Sequence, residues 1–248
     1  MRKIIRLLKN KKRRTLMDNK EEKYTELELD HQLIETTHKV EHFYHNYKKQ
    51  INIALIAVAA CILGYIGFKM YYLEPKEKEA QSVMFNAQTW FEKDSFDLAL
   101  KGQGEIPGFE SIAEEYGLTK AGNLAHYYAG ICFMRKGEFQ NAIDHLDHFS
   151  SDNKLVGPLA EGLKGDAYVE LNELEKGAKH YMKAAGMSKN KLTAPMFLKK
   201  AGMVYEDLKK YEDAIDAYEK IKKDYMEATE GQDIDKFIAR ATAEKTGS

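Results

Sequence analysis

Three histidines near the start of the chain have the spacing with which one helix can present several metal ligands. His38, His42 and His45 are spaced i, i+4 and i+7, so a helix would place their imidazoles on one face. The set matches no metal motif, and an interfacial helix face explains the same spacing. We therefore expect no metal at this position.

A second pair of histidines, His145 and His148, lies i, i+3 on a predicted helix and flanks Asp147. The pair shares its face with Asp144, which is typical of a solvated surface rather than of a metal site. The chain also lacks the nucleotide-binding and catalytic patterns GxxxxGKS/T, HExxH, GxSxG and CxxC. We expect no cofactor and no enzymatic activity; the alternative is a hydrolase or metal-dependent regulator that uses these histidines.

One stretch of the chain has the composition of a lipid-embedded helix. Residues Ile51–Phe68 read INIALIAVAACILGYIGF, 18 residues without a charge, and extension to Leu73 adds a single lysine. At about 1.5 Å of rise per residue, this length crosses a hydrocarbon layer of roughly 30 Å. We predict a single transmembrane helix over residues 51–73. Its Cys61 cannot pair with Cys132 in the following domain, so no disulfide is expected.

Charge differs on the two sides of this segment. Residues 1–50 carry 13 Lys and Arg against 8 Asp and Glu, whereas residues 70–248 carry 24 against 31. Because positive residues are retained in the cytoplasm, we expect a basic cytoplasmic arm over 1–50, helical from about residue 35, and a translocated domain over 74–248. An acidic domain repels phosphate, so nucleic acid is not an expected partner.

The basic run RKIIRLLKNKKRR at residues 2–14 has three explanations. It is an amphipathic segment on anionic membrane lipid, a solvated basic tail that could reach ribosomes, or a stretch that precedes a true start at Met17. The sequence leaves all three open.

The translocated domain contains an internal repeat. Two sets of three small residues recur at spacings of 35 and 37 residues, and an aromatic residue lies three positions after each member of the first set. The small residues are Gly130, Gly165, Gly202 and Ala142, Gly177, Ala214, and the aromatic residues are Phe133, Tyr168 and Tyr205. A small residue lets one helix of a hairpin approach the other, and we expect the aromatic residue to fill the gap. This pattern resembles the tetratricopeptide repeat, so the fold class expected is all-α, a tetratricopeptide-repeat solenoid behind a single transmembrane helix.

The same pattern divides the domain into units. We predict repeats over about 123–155, 158–190 and 195–228, and a degenerate unit over about 80–104 that contains Ala87 and Trp90. An insertion over about 105–122 separates this unit from the others, with GQGEIPGF as a loop and ESIAEEY as a short helix. A capping helix over about 233–243 covers the end of the stack.

Two stretches carry a more specific resemblance. Tyr116–Phe149 (YGLTKAGNLAHYYAGICFMRKGEFQNAIDHLDHF) and Asp233–Ala241 (DIDKFIARA), together with one anchor and outward repeats, resemble the YfgM-like ancillary subunits of the bacterial SecYEG translocon in their Bacteroidetes-type form. The resemblance covers residues from about 35 to 243. It implies a noncatalytic single-pass protein of the bacterial inner membrane, with a cytoplasmic N-terminus and a periplasmic C-terminal domain. Its partners would be translocon subunits, chaperones or emerging unfolded chains; the alternative is a scaffold for another cell-envelope assembly complex.

In tetratricopeptide repeats the first helix of each hairpin lines a binding groove. The resemblance carries the groove positions to Tyr127, Ile131, Met134, Arg135, Asp166, Val169, Glu170, Lys199, Met203, Glu206 and Asp207. Their mixture of charge, Met and Tyr suits adaptable recognition of peptide or unfolded chain. The alternative for each position is a solvated residue or a contact with a neighbouring helix.

Overall fold

The computed structural model describes residues 47–247, which belong to two compact units. Described residues 47–68 are helical (α1) and belong to the first unit, and Lys69–Ser248 form the second. The arm helix expected from about residue 35 and the histidines His38, His42 and His45 lie outside the described residues.

The apolar segment is helical and exposed. It lies within a helix that runs over Tyr47–Glu92, and no part of its most apolar 18-residue window is buried against the protein. Ile53, Ile56 and Leu63 each expose more than half of their side chains, which the core helix of a soluble protein would bury. By length and composition, this helix is able to cross a membrane.

The second unit is a stack of antiparallel helix pairs that starts after a π-helical turn, Lys69–Leu73. The four pairs are α2 (Glu74–Glu92) with α3 (Phe96–Lys101), α5 (Lys120–Lys136) with α6 (Phe139–His148), α7 (Val156–Glu170) with α8 (Leu174–Met187), and α9 (Thr193–Asp207) with α10 (Tyr211–Asp224). A 3-10 turn, Thr229–Gly231, leads to α11 (Ile234–Thr246), which packs on α10.

The segment between the first two hairpins is more ordered than a loop. Two short antiparallel strands, β1 (Gly102–Gln103) and β2 (Ile106–Pro107), precede α4 (Phe109–Glu115). Gly102 and Gly104 have φ values of 80° and 62°, which a side chain would disfavour, and they allow the chain to reverse within two residues. The sequence predicted no strand here.

Each hairpin turn contains one residue in the left-handed region. These residues are Asp94, Gly137, Asn172 and Lys209, with φ values of 56°, 76°, 60° and 58°. In every turn the next backbone N–H donates to the carbonyl of an aromatic residue five positions earlier, as in a Schellman cap; the acceptors are Trp90, Phe133, Tyr168 and Tyr205. The repeated aromatic residue therefore also marks where the first helix of each pair ends.

The repeated glycines allow the two helices of a pair to approach closely. A Cβ on Gly130 would lie 2.6 Å from Cγ of Leu146, and on Gly165 it would lie 2.6 Å from Cδ1 of Tyr181. On Gly202 it would lie 2.3 Å from Cε1 of Tyr218. The side chain over each glycine thus comes from the second helix, 16 residues later in the chain. Our assignment of this position to the aromatic residue three positions after the glycine was wrong.

The apolar core consists of two clusters with no shared residue. The first includes Met84, Phe109 and Ile112 from the N-terminal elements, and the second includes Phe197 and Tyr218 from the C-terminal elements. Charged side chains of α7, described below, lie between the contributions of α6 and α8. The centre of the stack therefore contains charged side chains as well as the buried Ile143 and Leu146 of α6.

The contact at Gly202 gives a first prediction. The Tyr218 ring is fully buried, so a methyl group at position 202 forces the ring or the helix to move. We expect Gly202→Ala to lower the free energy of unfolding by about 1–3 kcal/mol and the Tm by roughly 3–10 °C. The measurement is thermal unfolding of the full chain in detergent, followed by circular dichroism.

Gly186 is the matched control, because it lies in α8 and a Cβ there meets nothing within 4 Å. Gly186→Ala should be neutral or stabilising by up to about 1 kcal/mol, since alanine favours helix. Equal melting of Gly202→Ala and the unaltered chain would contradict the close approach of α9 and α10.

Candidate protein-binding face

The predicted groove residues lie on α5, α7 and α9, the first helices of the last three hairpins. Counted from the glycine of each hairpin, they occupy equivalent positions. One residue after the glycine come Ile131, Asp166 and Met203, and four residues after it come Met134, Val169 and Glu206. Five residues after it come Arg135, Glu170 and Asp207, and three residues before it come Tyr127 and Lys199.

The positions four residues after the glycine face the interior. Met134 packs against the N-terminal cluster and Val169 against the C-terminal cluster. Glu206, at the same position of the last hairpin, forms an ion pair with Arg240. The structure therefore uses this row for packing between helices.

Asp166 is also engaged within the chain. Its Oδ1 accepts a hydrogen bond from the Tyr181 hydroxyl at 2.5 Å and from the Lys200 ammonium at 2.6 Å. Burial raises the pKa of Tyr181, and the Asp166 carboxylate raises it further, so the hydroxyl stays a donor. One carboxylate thus joins α7 to α8 and to α9.

Glu206 makes the same kind of connection one hairpin later. Its carboxylate accepts hydrogen bonds from the Tyr218 hydroxyl at 2.6 Å and from Arg240 Nε and Nη2 at 2.7 and 2.9 Å. In both clusters the carboxylate and its basic partner are 34 residues apart in the chain. These two predicted groove residues therefore hold successive hairpins together.

Tyr127 and Lys199 rest on aromatic rings of the chain. The Tyr127 ring lies 5.0 Å from that of Phe149, and burial raises the pKa of its hydroxyl. The Lys199 ammonium lies 4.4 Å from the centre of the Phe237 ring in α11.

Five predicted groove residues remain accessible, and we call them the open strip: Ile131, Arg135, Glu170, Met203 and Asp207. Met203 exposes 47% of its surface, and Ile131 is half-buried. In the described part of the chain, the three charged members form no salt bridge. The strip crosses three hairpins and offers one cation, two carboxylates and two flexible apolar side chains.

A charged network lies at the centre of the stack. Glu161, with a side chain only 6% exposed, accepts hydrogen bonds from His180 at 2.8 Å, Lys183 at 2.9 Å and Lys164 at 3.0 Å. Lys164 also reaches Asp147 of α6 at 2.9 Å. Burial acts to raise the pKa of Glu161, but the three hydrogen bonds outweigh it and lower the pKa to about 2.

The preceding hairpin has histidine where this network has glutamate. His126 and His145 correspond to Glu161 and His180, and their Nδ1 atoms are 3.2 Å apart. His148 stacks on His126 at 5.2 Å, and His145 stacks on Phe133 at 5.3 Å. Of the face predicted to be solvated, Asp144 and His148 are exposed, whereas the ring of His145 is half-buried.

Burial, together with the neighbouring His145 and His148, lowers the pKa of His126 to about 4. The pKa of His145 is lowered too, again mainly by burial. Among residues 47–247, no three His, Cys, Asp or Glu side chains are arranged to hold a metal ion. His126 is not among the residues expected from the sequence; its alignment with Glu161 is the signal that identifies it.

Comparison with known proteins supports the fold. Residues 200–225 match the sequence model of a tetratricopeptide repeat family. No curated protein matches the chain. A crystal structure from Podosopora anserina, of a kinesin-light-chain-like protein with nearly identical TPR-like repeats, aligns with a TM-score of 0.50 at 11% identity, over 69% of this chain and 88% of that one.

A crystal structure of MamA aligns with a TM-score of 0.45 at 17% identity, over 65% of this chain and 95% of that one. The TPR-like structure from Podosopora anserina and the family match together confirm the predicted fold class, an all-α solenoid of tetratricopeptide-type hairpins.

The ion pair of Glu206 gives a second prediction. Removing its carboxylate leaves the Tyr218 hydroxyl and the Arg240 guanidinium without their shared acceptor. We expect Glu206→Ala to lower the free energy of unfolding by about 1–3 kcal/mol. The neighbouring open-strip variant Asp207→Ala should change it by less than about 0.5 kcal/mol. Thermal unfolding measures both, and equal effects of the two variants would contradict the structural role of Glu206.

The histidine contact gives a prediction about pH. The pKa of His126 is about 4 in the folded chain against 6.5 for the free side chain, so the unfolded chain binds a proton first as the pH falls. The stability that neutral His126 contributes is complete above pH 6.5 and is lost as the pH approaches 4. Because this side chain is partly exposed, we expect a loss of about 1–2 kcal/mol between about pH 7.5 and 5.

His126→Leu introduces the residue type found at the equivalent Leu198. Its loss of stability over the same pH interval should be at least about 1 kcal/mol smaller, measured from Tm at each pH. Below pH 4.5 both chains should lose stability alike, because the Glu161 carboxylate takes up a proton near pH 4.5 in the unfolded chain but only near pH 2 in the folded chain. If His126→Leu lost as much stability between about pH 7.5 and 5 as the unaltered chain, the role of His126 would be refuted.

Proposed function

We propose that this chain is a noncatalytic, membrane-anchored protein-binding module, accessory to the Sec translocon, that engages periplasmic chaperones or emerging polypeptides. The observation that carries the proposal is the open strip. Five side chains on equivalent helices stay accessible, while the residues around them are used in packing and ion pairs. A strip that crosses three hairpins fits an extended polypeptide better than a small molecule.

The charges of the strip suggest the chemistry of its partner. Arg135 of α5 lies at one end, and Glu170 of α7 and Asp207 of α9 follow. An extended segment that is acidic at its α5 end and basic at its α9 end would match this order. Ile131 and Met203 would receive apolar side chains, and methionine adapts to many shapes, which suits a protein with several clients.

The apolar helix supports anchoring. Its exposed aliphatic side chains favour lipid, and the excess of Lys and Arg in residues 1–50 favours a cytoplasmic N-terminus. The repeat domain would then lie in the periplasm. Tethering would hold the strip at high local concentration near one membrane site, so that a weak contact with each client is sufficient.

Photo-crosslinking in living cells tests the function. A photoreactive amino acid at Met203 should form adducts with translocon subunits, chaperones or nascent exported chains, identified by mass spectrometry. The matched control is the same group at Lys220, an exposed position on α10 outside the strip, which should give none of these adducts. Arg135→Glu should weaken the adducts at Met203 at least about fivefold, because it reverses the only cation of the strip.

Two outcomes would contradict the proposal in different ways. Identical adducts from positions 203 and 220 would mean that the open strip is not the binding face. Adducts at position 203 only with components of another envelope assembly complex would favour a scaffold over a translocon accessory.

A further inference from the structure

The loops that join successive hairpins form a continuous edge of the repeat domain. Asn123 exchanges two hydrogen bonds of 2.9 Å with Ser150, the Asn190 side chain donates to the Lys154 carbonyl at 3.0 Å, and Lys191 pairs with Glu227 at 2.6 Å. We call residues 117–120, 149–155 and 188–192 the loop edge. It lies at the N-terminal ends of α5, α7 and α9.

A short motif is repeated along this edge. Asn153-Lys154-Leu155 and Asn190-Lys191-Leu192 are 37 residues apart. In each motif the asparagine Oδ1 accepts a hydrogen bond from the backbone N–H of the leucine at 2.9 Å and another from the next residue. The loops are therefore fixed by the same cap, and each holds its leucine in the same local geometry.

The leucines at this position point away from the core. Leu155 exposes 43% of its surface and Leu192 66%, and Leu118, two residues before the start of α5, exposes 74%. Met187, at the end of α8, adds a fourth large apolar side chain that is nearly half exposed. Single exposed leucines are common, but several large apolar side chains along one edge, two of them at equivalent repeat positions, are typical of a surface that meets another apolar phase.

Basic side chains accompany the leucines. The loop edge carries Lys120, Lys154, Lys189 and Lys191 against one carboxylate, Asp152, although residues 70–248 as a whole are acidic. Glu227, from the following loop, neutralises Lys191. Leucine beside exposed lysine is the composition of segments that lie at the headgroup boundary of anionic lipid.

The first part of the edge lies close to the residues with which the second unit begins. Leu118 and Thr119 line one cavity together with Lys69 and Leu73. Lys69 directly follows Phe68, the last residue of the uncharged stretch. If that stretch spans the bilayer, Leu118 lies within a few residues' length of the membrane surface. The inference below therefore rests on the membrane anchor of the proposed function.

We propose that the loop edge docks on the surface of an anionic bilayer, with Leu118, Leu155 and Leu192 at the level of the headgroups and the lysines at lipid phosphates. A protein without an anchor needs two membrane-binding signals to stay on a bilayer. Here the anchor keeps the edge at the membrane, so three leucines and a few lysines are sufficient for the contact. Docking at several hairpins fixes the tilt of the repeat domain relative to the bilayer.

Lipid-borne quenchers test this contact in the full chain. A single cysteine is placed at Leu155 or Leu192 in a Cys61→Ser background, labelled with an environment-sensitive fluorophore and reconstituted in nanodiscs that contain anionic lipid and a headgroup-level nitroxide. Cys132 is buried and does not interfere. The control is Glu175→Cys, exposed at the opposite end of the third hairpin, about 20 Å away along α7.

We expect quenching at positions 155 and 192 to be at least about threefold stronger than at 175, because the quenchers act only over short distances and about 20 Å of helix separates the sites. Lys154→Glu combined with Lys189→Glu, or replacement of the anionic lipid by a zwitterionic one, should reduce the quenching at 192 at least about twofold, since each lysine contributes to attraction by the charged surface.

Equal weak quenching at 155, 192 and 175 in a chain that resists extraction by alkaline carbonate would overturn the docking and leave the anchor intact. Extraction of the chain by carbonate would refute the anchor itself. Weak quenching of the labelled chain, together with disulfide formation between the position-192 cysteines of two unlabelled chains, would assign the edge to a second copy instead, and would also overturn the proposal.

Discussion

The stack depends on the absence of a side chain at three glycines. Because Gly165 and Gly202 have no Cβ, the rings of Tyr181 and Tyr218 lie directly against the first helix of their hairpins. This position places each hydroxyl beside a carboxylate of that helix, Asp166 or Glu206. The same carboxylate then binds a basic residue of the next element. Close packing within a hairpin thereby determines the hydrogen bonds between hairpins.

The hairpin of α5 and α6 departs from this scheme, and its departure explains the charged network at the centre of the stack. The residue over Gly130 is Leu146, which has no hydroxyl to orient a carboxylate. The connection to the next hairpin is made instead by Lys164, which bridges Asp147 and Glu161. The joint between the two core clusters therefore contains ionised groups, as do the joints that Asp166 and Glu206 make with Lys200 and Arg240.

The sequence predicted the repeats because their spacing records a steric requirement, the small residue at each helix contact. It did not predict the left-handed residues Asn172 and Lys209, because only one of the four turns uses the glycine that normally marks this conformation. Asp166 and Glu206 were assigned to the groove for a related reason: the partners that occupy them lie 34 residues further along the chain. The sequence did not point to His126, because the equivalent position of the next hairpin holds a glutamate, Glu161. The equivalence shows only in the partner residue, which is a stacked histidine in both hairpins, His145 and His180.

The open strip and the loop edge lie at different places on the same helices, and this separation bears on how both could work at once. α5, α7 and α9 begin at the loop edge, whereas Arg135, Glu170 and Asp207 lie at or within a residue of their C-terminal ends. Some 14 or 15 residues of helix, about 20 Å, separate the two features. With the edge on lipid, the charged end of the strip would lie about 20 Å from the bilayer surface. An extended polypeptide is roughly 10 Å wide with its side chains, so it could pass between the bilayer and a partner bound to the strip. The length of the first helix in each hairpin would then set the height above the bilayer at which the strip binds a partner.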